Sequence, residues 1–535
     1  MKKFIISIVM FFLIIFIIIF VHKLFSDEYS FSNIEEVTVY FDGIKDSEYE
    51  HYYINNQIYI SADYLMKNKI IDFYWDKEYE KISIFNNYNY EAINYNDNKA
   101  FYNNAPHNRD DIFVVESDNL FFNINFIKDN YENRIYIDND NLKVIIERNI
   151  RKYEFVKKSR IKTNYSNISK TLKKTDVGEI IYIYDYEING WVLSRTEDNV
   201  IGFVNLSHIK PVSNTKIVSY PTFDKNKEIK MAWDLLYRPI LEFEPFMLPD
   251  SIDIIAPTWF DLKDDEKEFF ADISNDDYIN YVQASNKSIW GVFSNSFDPD
   301  LTNKLLHNGE KRSKILDEII NITKAKGLDG INIDFENIYL KDKDVFSAFV
   351  KELYCKARAA NIIMSVDITI LSNSENWSLC YDRNVIGEYT DYIMLMAYDE
   401  NVSTIGSVSS IPWVEYGVQN ILEYTYSGKV VLSIPFYTRL WEVNENNELI
   451  KTTALRIETA KNVIEELGMH LTFDDLTKQN YGKVTIDGIT YIIWNEDETS
   501  LKKRIEIANN YNLAGVSVWA LSYGVEEMWS LIDLK

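Results

Sequence analysis

The stretch Gly327-Leu-Asp-Gly-Ile-Asn-Ile-Asp-Phe-Glu336 alternates polar and apolar side chains and decides the fold of the segment around it. In an extended strand, side chains two residues apart share one face, so Asn332, Asp334 and Glu336 project together. Burying an unpaired carboxylate costs several kcal/mol, and two neighbouring carboxylates raise the pKa of one of them, which suits a general acid near neutral pH. Because the stretch contains no lysine or arginine, it predicts a chemical site rather than a structural ion pair.

From about residue 227 to residue 535 the sequence alternates predicted strands with helical segments, a pattern that is typical of an α/β barrel. The length of this segment suits one (β/α)8 TIM barrel with modest insertions. One insertion is predicted as a Val484–Trp494 hairpin with Asp-Gly at its turn, between the seventh and eighth strands. The eight candidate strands are Ile229–Trp233, Ile252–Pro257, Ile289–Phe293, Gly330–Asp334, Ile363–Ile368, Tyr392–Met396, Val430–Ile434 and Gly515–Trp519.

An apolar run near the amino terminus predicts the compartment. Phe4 to Val21 contains no charged residue, follows Lys2 and Lys3, and is just long enough to span a bilayer as a helix. A cleavable signal peptide would have a shorter apolar run and an Ala-x-Ala-like exit, which this sequence lacks. We therefore expect residues 1–26 to form a cytoplasmic tip and an uncleaved transmembrane signal anchor. The protein would then be a single-pass protein of the cell membrane, with everything that follows lying outside the cytoplasm.

Residues 31–150 contain an internal repeat. The segment Ile58–Leu65 recurs as Leu120–Ile127, and the later segment Phe73–Asp76 recurs as Ile135–Asp138 at the same offset. Each copy predicts a short strand, a helical turn and a hairpin of alternating apolar residues. This arrangement resembles the copper amine oxidase N-terminal-like domain, which bacteria use as an extracytoplasmic stalk, and the resemblance implies an α+β stalk or wall-contact module.

Residues 155–212 change to short strands at regular spacing. The apolar run Val177–Tyr184 is followed by the Asn189-Gly190 pair and then by Trp191, and Asn-Gly before a strand predicts a tight hairpin. The pattern resembles a bacterial SH3-like domain, a small all-β barrel that is often attached to cell-wall hydrolases. Trp191 is interpreted either as a core residue or as a platform for a ligand.

Several strand ends in the predicted barrel complete a known pattern. The run Asp329-Gly-x-x-x-Asp334-x-Glu336 resembles the signature of glycoside hydrolase family 18, the chitinase-like (β/α)8 barrels. Met396-Ala-Tyr-Asp399 and Gly515-Val-Ser-Val-Trp519 resemble the ends of that family's sixth and eighth strands. The resemblance covers residues 227–535. It is strongest to bacterial spore-cortex and cell-wall members, on the strand ends Trp233–Tyr237, Pro257–Phe260 and Ile434–Tyr437.

The resemblance implies which residues carry the chemistry. Glu336 would protonate the leaving oxygen and then deprotonate the incoming water, while the substrate's own N-acetyl group attacks the anomeric carbon. Asp334 would orient the acetamido N–H and balance the oxazolinium charge, and Tyr398 would donate its hydroxyl to the acetamido carbonyl. Trp519 would form the apolar floor under the sugar. Further substrate contacts are expected from Asp329, Asn332, Asp399, Tyr437 and Arg439, although the last three could equally be structural residues of the barrel rim.

Asn332 departs from the commonest chitinase pattern, which carries an aspartate at that position. An asparagine can hydrogen-bond Asp334 but cannot repel its charge, so we expect Asp334 to ionise more readily and to stay charged through the cycle. We interpret this departure as tuning of the site and not as loss of activity.

Composition and residue spacing exclude several other function classes. With 56 Lys+Arg against 82 Asp+Glu, the chain carries a formal charge of −26, which repels phosphate backbones and argues against a nucleic-acid partner. The six histidines are scattered, and His51 and His107 in the stalk have no metal-ligand spacing around them, so neither copper nor another metal is expected. No phosphate-binding loop and no Gly-x-Ser-x-Gly elbow is present, and no cofactor is expected.

The sequence therefore predicts a membrane-anchored glycosidase that acts on β-1,4-linked N-acetylglucosamine in peptidoglycan or, second, in chitin. Two alternatives stay open. The barrel could be a non-catalytic glycan-binding lectin, although such lectins commonly lose the acid that Glu336 supplies here. Alternatively, the chain could be a wall-anchored scaffold in which the stalk and the SH3-like module carry the function. The sequence leaves open endo or exo action, and whether the role lies in sporulation, germination or vegetative growth.

Overall fold

The computed structural model describes residues 35–77, 80–86, 89–94, 99–102, 105–131, 134–148, 150–212, 228–265 and 267–532. The predicted transmembrane segment at residues 1–26 lies outside these ranges and stays a prediction. Within them, no helix combines the length and the apolar character that crossing a bilayer requires.

The chain forms two compact units. The first consists of Met1–Asp72 and Pro106–Lys216, and the second consists of Phe73–Ala105 and Ile217–Lys535. The predicted stalk at 31–150 is thus shared between the units, because its middle segment belongs to the same unit as the barrel.

The first unit contains the strand and helix of both repeat copies. The strand Gln57–Ser61 leads into the helix Ala62–Lys67, and at the predicted offset Asn119–Asn123 leads into Ile124–Asn130. Polar residues at equivalent positions begin both helices, because the side chains of Ser61 and Asn123 accept hydrogen bonds from backbone N–H groups of the first turn. The two strands pair antiparallel in a five-stranded sheet. Strand order in that sheet is Glu35–Glu36, Tyr52–Ile54, Gln57–Ser61, Asn119–Asn123 and Phe113–Glu116.

A second sheet of this unit contains the repeat's later hairpin, Arg134–Asp138 and Lys143–Glu147. The strand Thr38–Phe41 pairs parallel to Lys143–Glu147 and antiparallel to Ile44–Lys45.

The remaining part of the first unit is all-β, as predicted. Its seven strands form one sheet in the order Thr171–Thr175, Ser159–Lys162, Ile201–Asn205, Trp191–Thr196, Ile180–Ile188, Arg151–Phe155 and Ile209–Pro211. The predicted Asn189-Gly190 hairpin is confirmed, with positive φ at both residues as a tight primed turn requires. Trp191 is only 7% exposed and is therefore a core residue. The assignment of this region to an SH3-like domain stays a prediction.

The second unit contains a closed barrel of eight parallel strands, which confirms the predicted barrel fold. The strands are β1 Ile229–Asp234, β2 Ile254–Leu262, β3 Ser288–Ser294, β4 Gly330–Asp334, β5 Ile363–Thr369, β6 Tyr392–Met396, β7 Val430–Pro435 and β8 Gly515–Trp519. Strand β8 pairs with both β1 and β7, and β1 also pairs with β2, so the ring closes. A short strand, Phe270–Asp272, pairs antiparallel with the end of β2.

Helices follow most of these strands; most of them cover the outside of the barrel, and the seventh packs on the sheet inserted between β7 and β8. They are α1 Asp276–Ala284, α2 Pro299–His307, α3 Gly309–Ala325, α4 Lys343–Ala359, α5 Arg383–Glu388, α6 Ile411–Ile421, α7 Ile457–Glu466, α8 Glu498–Asn510 and α9 Glu526–Trp529. Between β7 and β8 lies a five-stranded antiparallel sheet, which confirms the predicted hairpin as one part of a larger insertion. Its strands are Tyr437–Val443, Leu449–Arg456, Leu471–Asp474, Gln479–Ile486 and Ile489–Asn495.

The segment from the stalk region that joins this unit contributes a three-stranded sheet. Its strands are Asp72–Asp76, Lys81–Asn86 and Asn89–Asn94. Phe85 is buried within the same core cluster as the barrel helices, so this sheet packs on the outside of the barrel. The core is therefore double: one cluster lies between strands and helices, and a second fills the barrel axis with residues such as Met231, Trp290 and Met394.

Candidate active site at the carboxyl ends of the barrel strands

Strand β4 ends at the mouth of the barrel, and its last residues are anchored from two sides. Ile331, Ile333 and Phe335 are fully buried in the outer core cluster, as alternation predicts. Asn295, just after β3, clamps the backbone of Glu336: its Oδ1 accepts from the Glu336 N–H at 3.0 Å, and its Nδ2 donates to the Glu336 carbonyl at 2.7 Å. The Glu336 side chain itself is half-buried. The main chain that carries the carboxyl is thus fixed, and the side chain is still within reach of a ligand.

Asn332 lies one layer below this mouth and is completely buried. Its Oδ1 accepts from Trp233 Nε1 at 2.8 Å, and its Nδ2 donates to Asp367 Oδ1 at 2.6 Å and to Ser365 Oγ at 2.9 Å. The amide therefore does not make the hydrogen bond to Asp334 that we expected, because residues of β1 and β5 use its donor and acceptor. Its burial also shows that Asn332 is a supporting residue beneath the site, and not the substrate contact that the resemblance implied.

Three carboxyl groups, those of Asp334, Glu336 and Asp367, lie at this mouth. Among the described residues, none of them has a lysine or arginine as a hydrogen-bond partner. Asp334 is 8% exposed, and its Oδ1 has no hydrogen-bond partner among the described residues. Burial, together with the charge of Asp261 at the end of β2, raises the pKa of Asp334 to about 7. A raised pKa argues against an Asp334 that stays charged throughout, whereas the expected difference from an aspartate at position 332 stays a prediction.

The same causes act on the pKa of the acid itself. Burial, followed by the charges of Asp334 and Asp399, raises the pKa of Glu336 well above its ordinary value. Burial and the charge of Asp334 do the same to the pKa of Asp367. A carboxyl that keeps its proton at neutral pH can act as a general acid.

Aromatic side chains from other strands form the opposite wall. The ring of Tyr398, just after β6, lies 6.4 Å from the ring of Trp519 and 6.3 Å from that of Tyr437. Trp519 in turn lies 5.9 Å from Trp233, whose indole N–H binds Asn332 under the acid. After burial, the charges of Asp367, Glu336 and Asp334 are the main causes that raise the pKa of the Tyr398 hydroxyl. The structure therefore brings Glu336, Asp334, Tyr398 and Trp519 to one site.

A second polar group lies at the rim beside Tyr398. The Tyr437 hydroxyl donates to Asp399 Oδ1 at 2.6 Å, and Arg439 Nη2 lies 3.3 Å from the same oxygen. The Asp399 side chain is 45% exposed, whereas the Nε of Arg439 is buried and has no hydrogen-bond partner in the described part of the chain. The exposed Asp399 carboxylate, held in place by Tyr437 and Arg439, suits the recognition of a polar ligand such as a sugar hydroxyl.

Asp329 is the one predicted site residue that the structure does not bring to this cluster. It precedes β4, at the opposite end of the strand from Glu336. Its Oδ2 accepts a hydrogen bond from the Ile289 N–H at 2.8 Å, which ties the start of β4 to β3. In TIM barrels, residues at the amino-terminal face serve stability, so Asp329 is a structural member of the motif.

Sequence reasoning missed Asp367 and Asn295, which hold the acid strand from β5 and from the loop after β3. Asp367 could have been found, because Ser365 and Asp367 put two polar side chains on alternate positions of an otherwise apolar strand. Asn295 carries no comparable signal, since an asparagine after a strand is ordinary in loops.

An exposed aromatic pair beside the acid also escaped prediction. Phe297 and Trp377 are 50% and 41% exposed, and their rings lie 6.2 Å apart. Asn337, the residue after Glu336, donates from Nδ2 to the Phe297 carbonyl at 2.9 Å, which ties this pair to the end of β4. Neighbouring exposed rings at a barrel mouth offer apolar faces to a ligand.

No group of His, Cys, Asp and Glu side chains in the described ranges is arranged to hold a metal ion. The chemistry available at this mouth is that of a protonated carboxylic acid, a second buried carboxyl, a tyrosine hydroxyl and aromatic faces.

Two regions of the chain match known protein families. Residues 262–524 match the sequence model of the glycosyl hydrolases family 18, and residues 41–146 match that of the copper amine oxidase N-terminal domain. The "uncharacterized glycosylase YvbX" of Bacillus subtilis (strain 168) is 27% identical over 48% of this chain and 76% of its own length. The cortical fragment-lytic enzyme of the same organism is 20% identical, over 47% of this chain and 61% of that enzyme.

Solved structures agree with the fold. The crystal structure of the spore cortex-lytic enzyme SleL from Bacillus megaterium QM B1551 has a TM-score of 0.52 at 18% identity, and the match covers 62% of this chain and 80% of that one. The barrel, the carboxylates at its mouth and these matches lead to one assignment: the chain is a glycosidase whose residues 262–524 belong to the glycosyl hydrolases family 18, with a copper amine oxidase N-terminal domain ahead of its barrel.

Proposed function

We propose that this family 18 glycosidase is a membrane-anchored, extracytoplasmic enzyme that cleaves β-1,4 linkages of N-acetylglucosamine-containing glycans, with peptidoglycan preferred over chitin. The observation that carries the proposal is the half-buried side chain of Glu336 at the barrel mouth, on a backbone held by Asn295 and close in sequence to the buried Asp334. The similarity to proteins named for cortex lysis supports the peptidoglycan preference.

The first step needs a proton donor at neutral pH. Burial and neighbouring negative charges raise the pKa of Glu336 well above its ordinary value, which favours the protonated form of its carboxyl. Glu336 gives this proton to the glycosidic oxygen as the bond to the anomeric carbon breaks. In the second step the resulting carboxylate takes a proton from the water that attacks the same carbon, which returns the residue to its acid form.

The nucleophile of the first step is the acetamido oxygen of the sugar, so the protein must orient that group. The buried Oδ1 of Asp334 is an open acceptor that suits the acetamido N–H. In its ionised form Asp334 also balances the positive charge that develops on the oxazolinium ring.

The aromatic wall supports the same group from the other side. The pKa of Tyr398 is raised well above 10, so its hydroxyl stays protonated and can donate to the acetamido carbonyl. Trp519, in ring contact with both Tyr398 and Trp233, supplies an apolar floor under the sugar.

Anchoring rests on the uninterrupted apolar run from Phe4 to Val21 between basic residues. Cell fractionation tests it: the full chain should sediment with membranes and resist extraction by high salt, and deletion of residues 1–26 should release it into the soluble fraction. Salt-extractable full-length protein would contradict the anchor.

The substrate is tested by mass spectrometry of the fragments released from purified peptidoglycan and from chitin oligomers by the detergent-solubilised full chain. We expect fragments with reducing-end N-acetylglucosamine from peptidoglycan. Glu336→Gln should abolish their release, and the surface substitution Glu423→Gln, at an exposed position, should leave it unchanged. Fragments that persist with Glu336→Gln would contradict the proposed acid, and release from chitin alone would contradict the preferred substrate.

A further inference from the structure

A cavity beside the carboxyl end of β1 has no part in the site described above. It has a volume of about 460 Å³ and lies between α1 and the β1–β2 loop, which we define as residues 235–253. Trp233 belongs to the cluster that fills the barrel axis, so the next residue, Asp234, points to the outer side of β1. Leu521 and Ser522, shortly after β8, also line the cavity. The cavity therefore lies at the same end of the barrel as the active site, but on the outer side of β1.

The buried polar group of this cavity is the carboxyl of Asp234. Asp234 is 8% exposed, and its Oδ2 accepts a hydrogen bond from the Tyr278 hydroxyl at 2.6 Å. Its Oδ1 accepts no hydrogen bond from the described residues. Burial raises the pKa of Asp234, although the bond from Tyr278 acts in the opposite direction. A cation beside the open oxygen would therefore stabilise the charged form of this carboxyl.

Aromatic rings line the cavity next to this carboxyl. The rings of Phe246 and Phe243 lie 5.5 Å and 5.9 Å from the ring of Tyr278, the hydrogen-bond partner of Asp234. The loop that carries both phenylalanines is tied to α1, because the Tyr281 hydroxyl donates to the Phe246 carbonyl. Aromatic faces attract ammonium groups, and the attraction is strongest where water is excluded.

The charge of the lining favours a cationic ligand. Glu242 and Glu244 lie exposed on the β1–β2 loop and line the cavity together with the buried Asp234. Among the described residues that line it, there is no lysine, arginine or histidine, and most of the others are apolar. A neutral or anionic ligand would leave the buried carboxylate without a counter-charge. An ammonium group at the end of an aliphatic arm suits both the acid and the apolar walls.

We propose that this cavity binds a primary ammonium group on an aliphatic arm, namely the free side-chain amine of a diamino acid in the peptides that peptidoglycan carries on its glycan strands. The inference rests on the proposed function, because chitin carries no such peptides. The ammonium group donates to Asp234 Oδ1, and the arm lies against Phe243 and Phe246. Asp234 thus determines specificity without taking part in the reaction, and the enzyme prefers strands whose peptides have a free amine.

Binding is tested by titration calorimetry of the detergent-solubilised full chain. The probes are Nα-acetyl-lysine methylamide, which has one ammonium group, and its side-chain-acetylated form, which has none. We expect only the charged probe to bind, and Asp234→Asn should weaken its binding by about tenfold or more. Asp250→Asn, at an exposed position of the β1–β2 loop outside the lining, is the matched control and should bind as the wild type does. No binding of the charged probe, equal binding of both probes, or unchanged affinity in Asp234→Asn would overturn the inference.

Two further variants separate ligand binding from a structural role of Asp234. Tyr278→Phe removes the hydrogen bond to Asp234 but keeps its carboxylate, so it should retain most of the affinity. A loss as large as that of Asp234→Asn would mean that the pair is only structural. If Asp234→Asn does not fold, the double variant Glu242→Gln with Glu244→Gln decides, because both positions are exposed. It should bind the charged probe about threefold more weakly at low ionic strength, and unchanged affinity would overturn the inference.

Kinetics on the polymer test the identity of the ligand. Acetylation of the free amines of purified peptidoglycan should raise KM by about fivefold in the wild type and leave kcat unchanged. In Asp234→Asn the two forms of the polymer should give the same KM. Equal KM values in the wild type would overturn the inference. A wild type that binds the charged probe but releases no glycan fragments from either form would instead overturn only the proposed function.

Discussion

Two clusters in the barrel unit contain acidic side chains of the same types but differ in function. The unpaired cluster consists of Asp334, Glu336 and Asp367, and the paired cluster consists of Glu352, Arg312 and Lys81. At the barrel mouth, Glu336 and its carboxyl neighbours are buried with one another, and burial raises the pKa of each. On the outside of the barrel, Glu352 on α4 is fully buried, and its Oε2 accepts a hydrogen bond from Arg312 Nε of α3 at 3.0 Å. Burial alone would raise the pKa of Glu352, but the charges of Arg312 and Lys81 outweigh it and lower the pKa.

The paired cluster also holds the stalk-derived sheet on the barrel. Lys81 Nζ donates to the Gly309 carbonyl at 2.9 Å, the Ser83 hydroxyl donates to Glu352, and Arg312 Nη1 lies 3.4 Å from Asp76. Burial lowers the pKa of Lys81 to about 8. The difference teaches that the partners of a buried acid decide its role: cations make it a structural tie, and other acids make it a proton donor.

The largest effect on activity is expected from a substitution that removes the acidic proton of Glu336. Glu336→Gln keeps the shape of the side chain but cannot donate a proton, so kcat should fall by about 10²–10⁴-fold. The melting temperature should not fall, because no ion pair is broken. Activity assays and thermal unfolding of the same preparation measure both. A large loss of stability would mean that the Glu336 carboxyl stabilises the fold, as the Glu352 carboxyl does.

The paired cluster should respond the other way. Arg312→Ala leaves Glu352 buried without its main cation and should lower the free energy of unfolding by about 3–5 kcal/mol. Activity per folded molecule should be retained, since the cluster lies outside the barrel mouth. The double variant Arg312→Met with Glu352→Leu is the control, because an apolar pair of similar volume should recover most of the loss. Chemical denaturation measures both; equal loss in the two variants would contradict the role of the charge pair.

The two clusters should also give opposite pH dependence of stability. Because the pKa of Asp334 is raised to about 7, its contribution is fully present below its ordinary pKa and is lost as pH rises through about 7. Because the pKa of Glu352 is lowered, its contribution is present above the ordinary glutamate value and is lost as pH falls.

Asp334→Asn should therefore stabilise the chain at pH 8, by on the order of 1–3 kcal/mol, and much less at pH 4. Denaturant titrations at the two pH values measure the difference. Equal effects at the two pH values would show that burial does not raise the pKa of the Asp334 carboxyl in the folded protein.

The smallest effect should come from the exposed pair next to the unpaired cluster. Trp377→Ala removes one ring of the Phe297–Trp377 pair and should weaken binding of long glycans by about 1 kcal/mol, which is roughly a fivefold rise in KM. Tyr426→Ala, another exposed aromatic residue, is the comparison variant and should leave KM unchanged. Steady-state kinetics on glycans of increasing length measure the effect; a fall in kcat without a change in KM would contradict a binding role.

The barrel could be predicted from the sequence because its signals are local. Alternation in β4 and the apolar runs of the other strands are properties of short segments, and Gly330–Asp334 and Gly515–Trp519 begin and end as predicted. The partners of Asn332 could not be predicted, because Trp233 and Asp367 come from strands β1 and β5, far from it in sequence.

The attachment of residues 73–105 to the barrel unit escaped prediction for the same reason. The internal repeat in the sequence predicted that this segment belongs to the stalk. Its hydrogen bonds from Lys81 to α3 and from Ser83 to α4 join residues far apart in sequence, so they become visible only in the folded structure. Asp329 shows the converse case: a motif read along the chain joins residues that lie at opposite ends of one strand.

The central claim, that the unpaired acids serve a reaction in which the substrate's acetamido group is the nucleophile, is tested most directly by the configuration of the first product. Proton NMR during the first turnovers of the full chain, on the glycan from which it releases fragments, distinguishes the two anomers of the new reducing end. Two successive displacements at the anomeric carbon predict the β-anomer, which then mutarotates. Initial formation of the α-anomer would mean that water attacks directly, and it would contradict the account.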